Sequence, residues 1–322
     1  MSLTLLSAAE VKESITMNEA INAMERAFIQ LAEKKAVMPV RTGVPGAKDG
    51  LTLTMPGYLA GEEILGLKVV SIFPQNILMN KAAIQGVVLL LNAETGEPAV
   101  LMDAQYLTAL RTGAISGLAT RYFAVDDARK VAIIGSGVQA QTQLEAVAAV
   151  RDIRHVSIWS RQRENAQLLA KKFADRFHCE VCTDIPHAVK DADVICTATS
   201  STEPLITAKH LSEHVHINAI GSHTPAMSEI SSEVLSSAHI VVDQIDAVMA
   251  EAGEIIQAVN QGAIKQTQLL ELGTWLMTKN PDLRGKRTVF KSVGLAIQDL
   301  SVAQVVYSNA QRQGMGTSFQ LS

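Results

Sequence analysis

The chain has 322 residues, 48% of them hydrophobic, with 28 Lys and Arg against 32 Asp and Glu. That length accommodates about two domains, and the net charge of −4 leaves no positive field to draw in nucleic acid or an anionic membrane surface. No basic region precedes the apolar residues of "MSLTLLSAAEVKES", and the run "GVVLLL" at 86–91 is too short to span a bilayer. The expectation is a cytoplasmic protein with neither nucleic acid nor membrane as a partner.

The first forty residues read as helical. Ser7 with Glu10 and Thr16 with Glu19 fit the capping-box pattern, and Ile21, Met24, Phe28 and Leu31 recur at the helical period. From about 40 to 102 the short β-rich runs "LTLTMPGYL", "LGLKVVSIF" and "GVVLLLNAETGEPAVLMD" predict an antiparallel sheet, with a hairpin turn at "AETGEP". A helix is expected to open at about Thr112, within "LRTGAISGLATRYFA".

Strand and helix then alternate. The apolar runs at 130–135, 155–160, 178–183, 193–199, 214–221 and 239–243 are separated by helical stretches such as 162–176, the pattern of a doubly wound parallel sheet buried on both faces. A further strand at 288–294 leads into a helix, "LAIQDLSVAQVVYSNAQRQ", expected to return to the first domain. The fold class is therefore α/β: a Rossmann domain over 113–303, and an α+β domain made of 1–112 and 304–322.

Three cysteines, Cys179, Cys182 and Cys196, fit buried thiols in a reducing compartment better than a disulfide framework. "CEVC" has the C-x-x-C spacing, but positions i and i+3 of a strand face opposite ways, and no second pair follows at zinc-site spacing. His214 and His216 share a strand face without a third ligand nearby, so no metal is expected.

The most specific local signal is "GSGVQA", Gly135, Ser136, Gly137, Val138, Gln139 and Ala140, directly after a strand and opening a helix. Gly135 permits the tight turn, Gly137 lets the backbone approach a pyrophosphate, and Ala140 allows close helix–strand packing. The helix N-terminus supplies N–H donors for that anion. Strand two ends in Ser160 and Arg161 rather than the acid that bonds an NAD ribose. A hydroxyl and a guanidinium bind a 2′-phosphate, so NADPH is the favoured cofactor and NADH the less preferred donor. The plainer role for Arg161 is to solvate a helix start. Arg41, Lys68 and Arg111 stand in apolar or tight surroundings; singly each reads as a snorkelling or surface cation, together they would grip a carboxylate.

Seven segments, "MPVR", "MPGYL", "LGLKVVSIFPQN", "ETGEPAVLMDAQYLTALRTGA", "GSGVQA", "HINAIG" and "GLAIQDLSVAQVVY", run in order along nearly the whole chain. In these the sequence resembles the ornithine cyclodeaminase/mu-crystallin family. The resemblance implies a Rossmann domain joined to a dimerisation domain, and hence a homodimer. It assigns Arg41, Lys68 and Arg111 to the substrate carboxylate. It places Thr112, the "GSGVQA" loop, Ser160, Arg161, Thr197 and the turn Ser292, Val293, Gly294 around the dinucleotide. His223 stands where cyclodeaminases carry an aspartate that acts as base, and Leu53 where they carry an acid before Met-Pro. "VFKSVGLA" resembles the ketimine reductase form of its turn.

These departures point to NADPH-dependent reduction of a small cyclic 2-imino acid: Δ1-pyrroline-2-carboxylate to L-proline, or Δ1-piperideine-2-carboxylate to L-pipecolate. His223 is then a candidate proton donor or a polar loop residue. Asp299 is a candidate contact to the substrate nitrogen, or the receiver of a basic partner at a helix start. The alternatives are an ornithine cyclodeaminase or alanine-type amino-acid dehydrogenase, and a crystallin-like small-molecule binder without catalysis.

Overall fold

The computed structural model describes residues 2–321, save the side chain of Ile77. In chain order the first stretch holds β1 (Ser2–Leu6), α1 (Ala8–Glu13), α2 (Met17–Ala32), β2 (Ala36–Val37), β3 (Thr42–Pro45), β4 (Leu51–Leu59), β5 (Ile64–Ile72), β6 (Ile84–Asn92), β7 (Pro98–Asp103) and α3 (Gln105–Phe123). Then come β8 (Lys130–Ile134), α4 (Val138–Val150), β9 (His155–Trp159), α5 (Arg163–Phe173), β10 (His178–Val181), α6 (Ile185–Val189), β11 (Val194–Thr197) and β12 (His216–Ala219). The chain closes with α7 (Ser232–Ser236), β13 (His239–Val242), α8 (Ile245–Glu251), α9 (Gly253–Asn260), β14 (Leu269–Glu271), α10 (Leu272–Thr278), β15 (Thr288–Lys291), α11 (Ala296–Gln313) and β16 (Thr317–Gln320). Among the described residues no helix is long and apolar enough to cross a membrane.

Two compact units divide the chain: residues 1–111 with 295–322, and residues 112–294. The boundaries differ from those read in the sequence chiefly at the C-terminal end. All of α11 belongs to the first unit, not only the part after 303, because its buried residues Ala296, Leu300, Ala303 and Val306 pack on α2 and on β4, β5 and β6.

The first unit is a sheet in the order β16-β1-β7-β6-β5-β4-β2, with β3 paired to β4. Strands β4 to β7 form the antiparallel meander that the sequence predicts. The first residues depart from expectation: Ser2–Leu6 is a strand, not a helix, parallel to β7 and antiparallel to β16. Its pairing partners lie about a hundred and three hundred residues away, so no local period announces it. Helix α3 also opens earlier than Thr112. The carboxylate Oδ1 of Asp103 accepts the N–H of Gln105 at 2.9 Å and so starts the helix there. Both expected capping boxes are present, at Ser7/Glu10 and Thr16/Glu19, and Ile21, Met24 and Phe28 are fully buried.

Strand β5 alternates burial along Ile64, Gly66, Lys68 and Val70, so one charged residue occupies a core position. Gly57 and Gly66 pair across β4 and β5 beneath α11. A Cβ on Gly57 would meet Leu300 at 3.0 Å, and one on Gly66 would meet the Leu89 carbonyl at 2.4 Å and Leu300 at 3.1 Å. The pair lets α11 lie close on the sheet and fixes the height of Asp299 above β5.

The second unit is an eight-stranded parallel sheet, β10-β9-β8-β11-β12-β15-β13-β14. One apolar cluster, with Val131, Leu144, Ile158 and Phe173, covers one face; another, with Ile134, Ile217, Val242 and Ile255, covers the other. From β8 the chain first builds outward to β9 and β10, then returns to add β11 and β12 on the opposite side. In doubly wound sheets a ligand sits outside the carboxyl ends of the strands at this reversal.

Candidate active-site residues

In the first unit the cations meet at Asp299 in the first turn of α11. Lys68 Nζ lies 2.7 Å from Asp299 Oδ2, and Arg111 Nε donates to Oδ1 at 3.1 Å. Arg111 also donates to Gln298 Oε1 at 2.7 Å. Lys68 is 1% exposed, Arg111 8% and Asp299 0%, so these charges interact at low effective dielectric. The Lys68 ammonium is lowered to about 8, chiefly by burial, with the charges of Arg111 and Arg41 also lowering it and Asp299 opposing them. Lys68 and Arg111 thus share a single carboxylate, and the charge of the half-buried Arg41 reaches Lys68. That surplus of positive charge is suited to an anionic ligand, and Arg111 and Lys68 carry further donors for a carboxylate. Asp299 is the receiver of basic partners that a helix-start acid suggests. Gln298, which orients Arg111, has no signal in the sequence.

In the second unit the loop after β8 has the backbone a dinucleotide requires. Gly135 has φ +125°, and a Cβ there would lie 2.5 Å from the Ala198 carbonyl, so only glycine fits. Gly137 is the N-cap of α4, with no side-chain capping bond and open space where its Cβ would be. The first N–H groups of α4 are therefore free to face an anion. Ala140 is fully buried against the sheet, whereas Val138 is exposed and Gln139 half-buried beside Thr142.

A cavity of about 290 Å³ opens beside this loop, lined by Gly135, Ser136, Trp159–Gln162 and Ala198–Ser201. These are the residues that follow β8, β9 and β11 at the reversal of strand order. Ser136 and Ser160 are joined by a 2.8 Å hydrogen bond between their hydroxyls, and Arg161 stands at the cavity wall. The glycines, the uncapped helix and the cavity fit a dinucleotide.

Several expected contacts are placed otherwise. Thr197 is fully buried and donates its hydroxyl to Glu229 Oε2 at 2.7 Å; the cavity is lined by Ala198 and Thr199 instead. The donors of the "KSVG" turn are likewise committed. Asp243 Oδ2 accepts from Ser292 Oγ at 2.8 Å, Val293 N at 2.8 Å and Gly294 N at 3.0 Å. Those groups serve the turn itself, which leaves carbonyls and the Val293 side chain for a ligand. Burial raises the Asp243 carboxyl, against the lowering by these hydrogen bonds. Thr112 is buried, and its carbonyl accepts from Gln143 Nε2 at 3.1 Å.

His223 is exposed on the loop after β12, and its Nδ1 lies 2.8 Å from the Gly221 carbonyl. Only an Nδ1–H can make that bond, which leaves Nε2 as the ring nitrogen not engaged by it. The loop is anchored from below by a network that sequence reasoning missed. Glu229 accepts from Thr199 N at 2.6 Å and from Gly221 N at 2.8 Å, joining the loops after β11 and β12. Lys291 donates to the Ser222 carbonyl and pairs with Glu254 at 2.8 Å, all within the core. Burial raises the Glu229 carboxyl, while Lys291 and the hydrogen bonds oppose it.

Of the three cysteines expected to be buried, Cys182 and Cys196 are, the latter pushed up to about 12 by burial, and Cys179 is half-buried. His214 and His216 do not share a strand face: β12 starts at His216. That ring is fully buried between Thr288 and Asn218, and burial lowers it to about 3.

The sequence profile of the ornithine cyclodeaminase/mu-crystallin family matches residues 1–314. The chain belongs to this family. A Δ1-pyrroline-2-carboxylate reductase of Bacillus cereus is 36% identical over 321 residues, 98% of each chain. Among solved structures of family relatives, the Δ1-pyrroline-2-carboxylate reductase of Thermococcus litoralis, in complex with NADH and L-proline, is 34% identical with a TM-score of 0.93, covering 98% of this chain and 99% of its own. An archaeal alanine dehydrogenase dimer with bound NAD is 36% identical with a TM-score of 0.93 and full coverage of both chains. The fold of this family member is therefore the Rossmann-containing architecture that its motifs imply.

Proposed function

We propose that this family member is an NAD(P)H-dependent reductase of cyclic 2-imino acids, converting Δ1-pyrroline-2-carboxylate to L-proline and Δ1-piperideine-2-carboxylate to L-pipecolate. The observation that carries the reading is the buried Lys68–Asp299–Arg111 cluster, a receptor for one carboxylate, in a chain that also holds a dinucleotide cavity. The reductases of Bacillus cereus and Thermococcus litoralis support it.

Lys68, Arg111 and Arg41 bind the substrate carboxylate and orient C2 of the C=N bond. Asp299 keeps the two buried cations charged and in place. Gly135–Ala140, Ser160 and Arg161 hold the cofactor, which when bound supplies the hydride that C2 receives. The imine nitrogen needs one proton for each hydride added to carbon. His223 offers it through Nε2, and a substrate that arrives as the iminium carries its own. Ser160 and Arg161, with no carboxylate at the end of β9, support NADPH over NADH.

A panel of initial rates with NADPH and NADH on the two imines, pyruvate plus ammonia, and ornithine tests this reading. Imine reduction faster with NADPH is the expected result, with the coenzyme order reversed in Arg161→Asp. Turnover of ornithine to proline without added reductant would replace it with deamination. A dehydrogenase of open-chain amino acids is the second reading, favoured by the archaeal alanine dehydrogenase likeness, and preferential use of pyruvate with ammonia would establish it. The catalytic unit we infer is a homodimer: Val37, Val40, Val44, Leu78 and Phe319 of the first unit are large apolar residues left exposed. Sedimentation at about twice the 34.5 kDa chain mass is the expected outcome.

A further inference from the structure

Away from the residues above, one cluster among the described residues brings three different metal-ligating side chains together. Glu180, Cys182 and His187 place a carboxylate oxygen, Sγ and an imidazole nitrogen all within 4.8 Å of one another. Glu180 Oε1 and His187 Nε2 are 3.3 Å apart. We infer that Glu180, Cys182 and His187 form a binding site for a borderline divalent cation of the Zn²⁺ class at the end of β10.

The local fold explains why these three meet. Glu180 and Cys182 are two residues apart on an extended backbone, so they share a face, and Cys179 points the other way. The N–H of Cys182 continues the ladder to Ile158 O at 2.9 Å, which fixes the thiol. His187 follows on α6, whose start is held by Asp184 Oδ1 accepting the His187 N–H at 2.8 Å. An eight-residue strand–turn–helix segment therefore presents all three donors. The pairing of Cys179 with Cys182 remains excluded by geometry; the Cys182 thiol has a hydrogen bond with the Ser157 side chain and faces a carboxylate and an imidazole.

Donor type and charge agree with the assignment. Thiolate, imidazole and carboxylate are the ligands Zn²⁺ takes in sites with three protein ligands, leaving a fourth position to water. Tetrahedral bonds of about 2.0–2.3 Å need donors about 3.5 Å apart, and Glu180 and His187, about half-exposed, have the freedom to close on the fixed sulfur. Asp184 adds a second nearby carboxylate, and the charge of Lys130 also reaches the thiol. Lys130 Nζ is occupied by the Lys190 carbonyl at 2.6 Å. Binding deprotonates the Cys182 thiol, the proton passing to solvent.

Cobalt(II) titration of the chelator-stripped full chain tests the site. One equivalent is expected to produce the intense d–d bands of four-coordinate cobalt and a thiolate-to-cobalt charge-transfer band, both removed by adding Zn²⁺. Cys182→Ser abolishes the charge-transfer band, and His187→Ala, on an exposed side chain, weakens Zn²⁺ binding by at least about tenfold. Cys179→Ser leaves binding unchanged, as does each variant the imine reductase rate. Absence of saturable binding, a charge-transfer band that survives Cys182→Ser, or equal affinity in His187→Ala overturns the assignment.

Discussion

The two units prepare for anions by opposite means. In the first, buried side chains from β5, α3 and α11, more than two hundred residues apart in sequence at the extremes, converge on Asp299. In the second, the receptor is one short loop of backbone, Gly135 to Ala140, whose shape comes from absent side chains. A receptor made of charges needs some compensation when empty, and Asp299 offsets part of the charge of Lys68 and Arg111. A receptor made of N–H dipoles needs no counter-charge, only space and the right φ.

Truncation should separate the two designs most sharply. Lys68→Ala leaves Asp299 buried with one partner fewer, a loss of about 3–5 kcal/mol for a buried pair. The expected outcome is a fall in kcat/KM for the imino acid of about a thousandfold, with the dinucleotide Kd unchanged. A variant that weakens both ligands equally would erase the distinction. Gly135→Ala tests the backbone receptor. Its methyl would overlap the Ala198 carbonyl at a φ that costs about 1–3 kcal/mol. Dinucleotide affinity should fall by about a hundredfold, and denaturant unfolding should show the accompanying loss of stability.

The smallest effect expected is a dependence on pH that only the side-chain receptor has. Lys68 is charged below about 8 and neutral above it, and a neutral amine no longer attracts a carboxylate. The kcat/KM for the imino acid should therefore decline on the alkaline side with a midpoint near 8, about tenfold for each further pH unit. Coenzyme binding should show no such limb. Lys68→Arg, whose guanidinium stays protonated, should remove it.

What the sequence disclosed follows the same divide. The dinucleotide loop was legible because its requirements are local: two glycines and an alanine at fixed spacing after an apolar strand. The parallel strands were legible because burial on both faces leaves continuous apolar runs. Lys68 was visible as a charge out of place in β5, but its tie to Asp299 crosses the fold and has no period. Residues that act on a loop from beneath were the hardest to find. Asp243 holds the "KSVG" turn, and Glu229 joins the loops after β11 and β12, yet in "HIVVD" and "PAMSEI" each reads as an ordinary acid at an element boundary. The resemblance places Thr197, Ser292, Val293 and Gly294 around the dinucleotide, and in the structure their hydrogen bonds reach these carboxylates.

The facing glycines of β4 and β5 give the first unit a gauge. Because Gly57 and Gly66 contribute only hydrogen beneath Leu300, the spacing of helix and sheet, and with it the 2.7 Å reach from Lys68 to Asp299, is set by volume rather than by attraction. The charged cluster is tuned from two strand positions that carry no charge and touch no ligand.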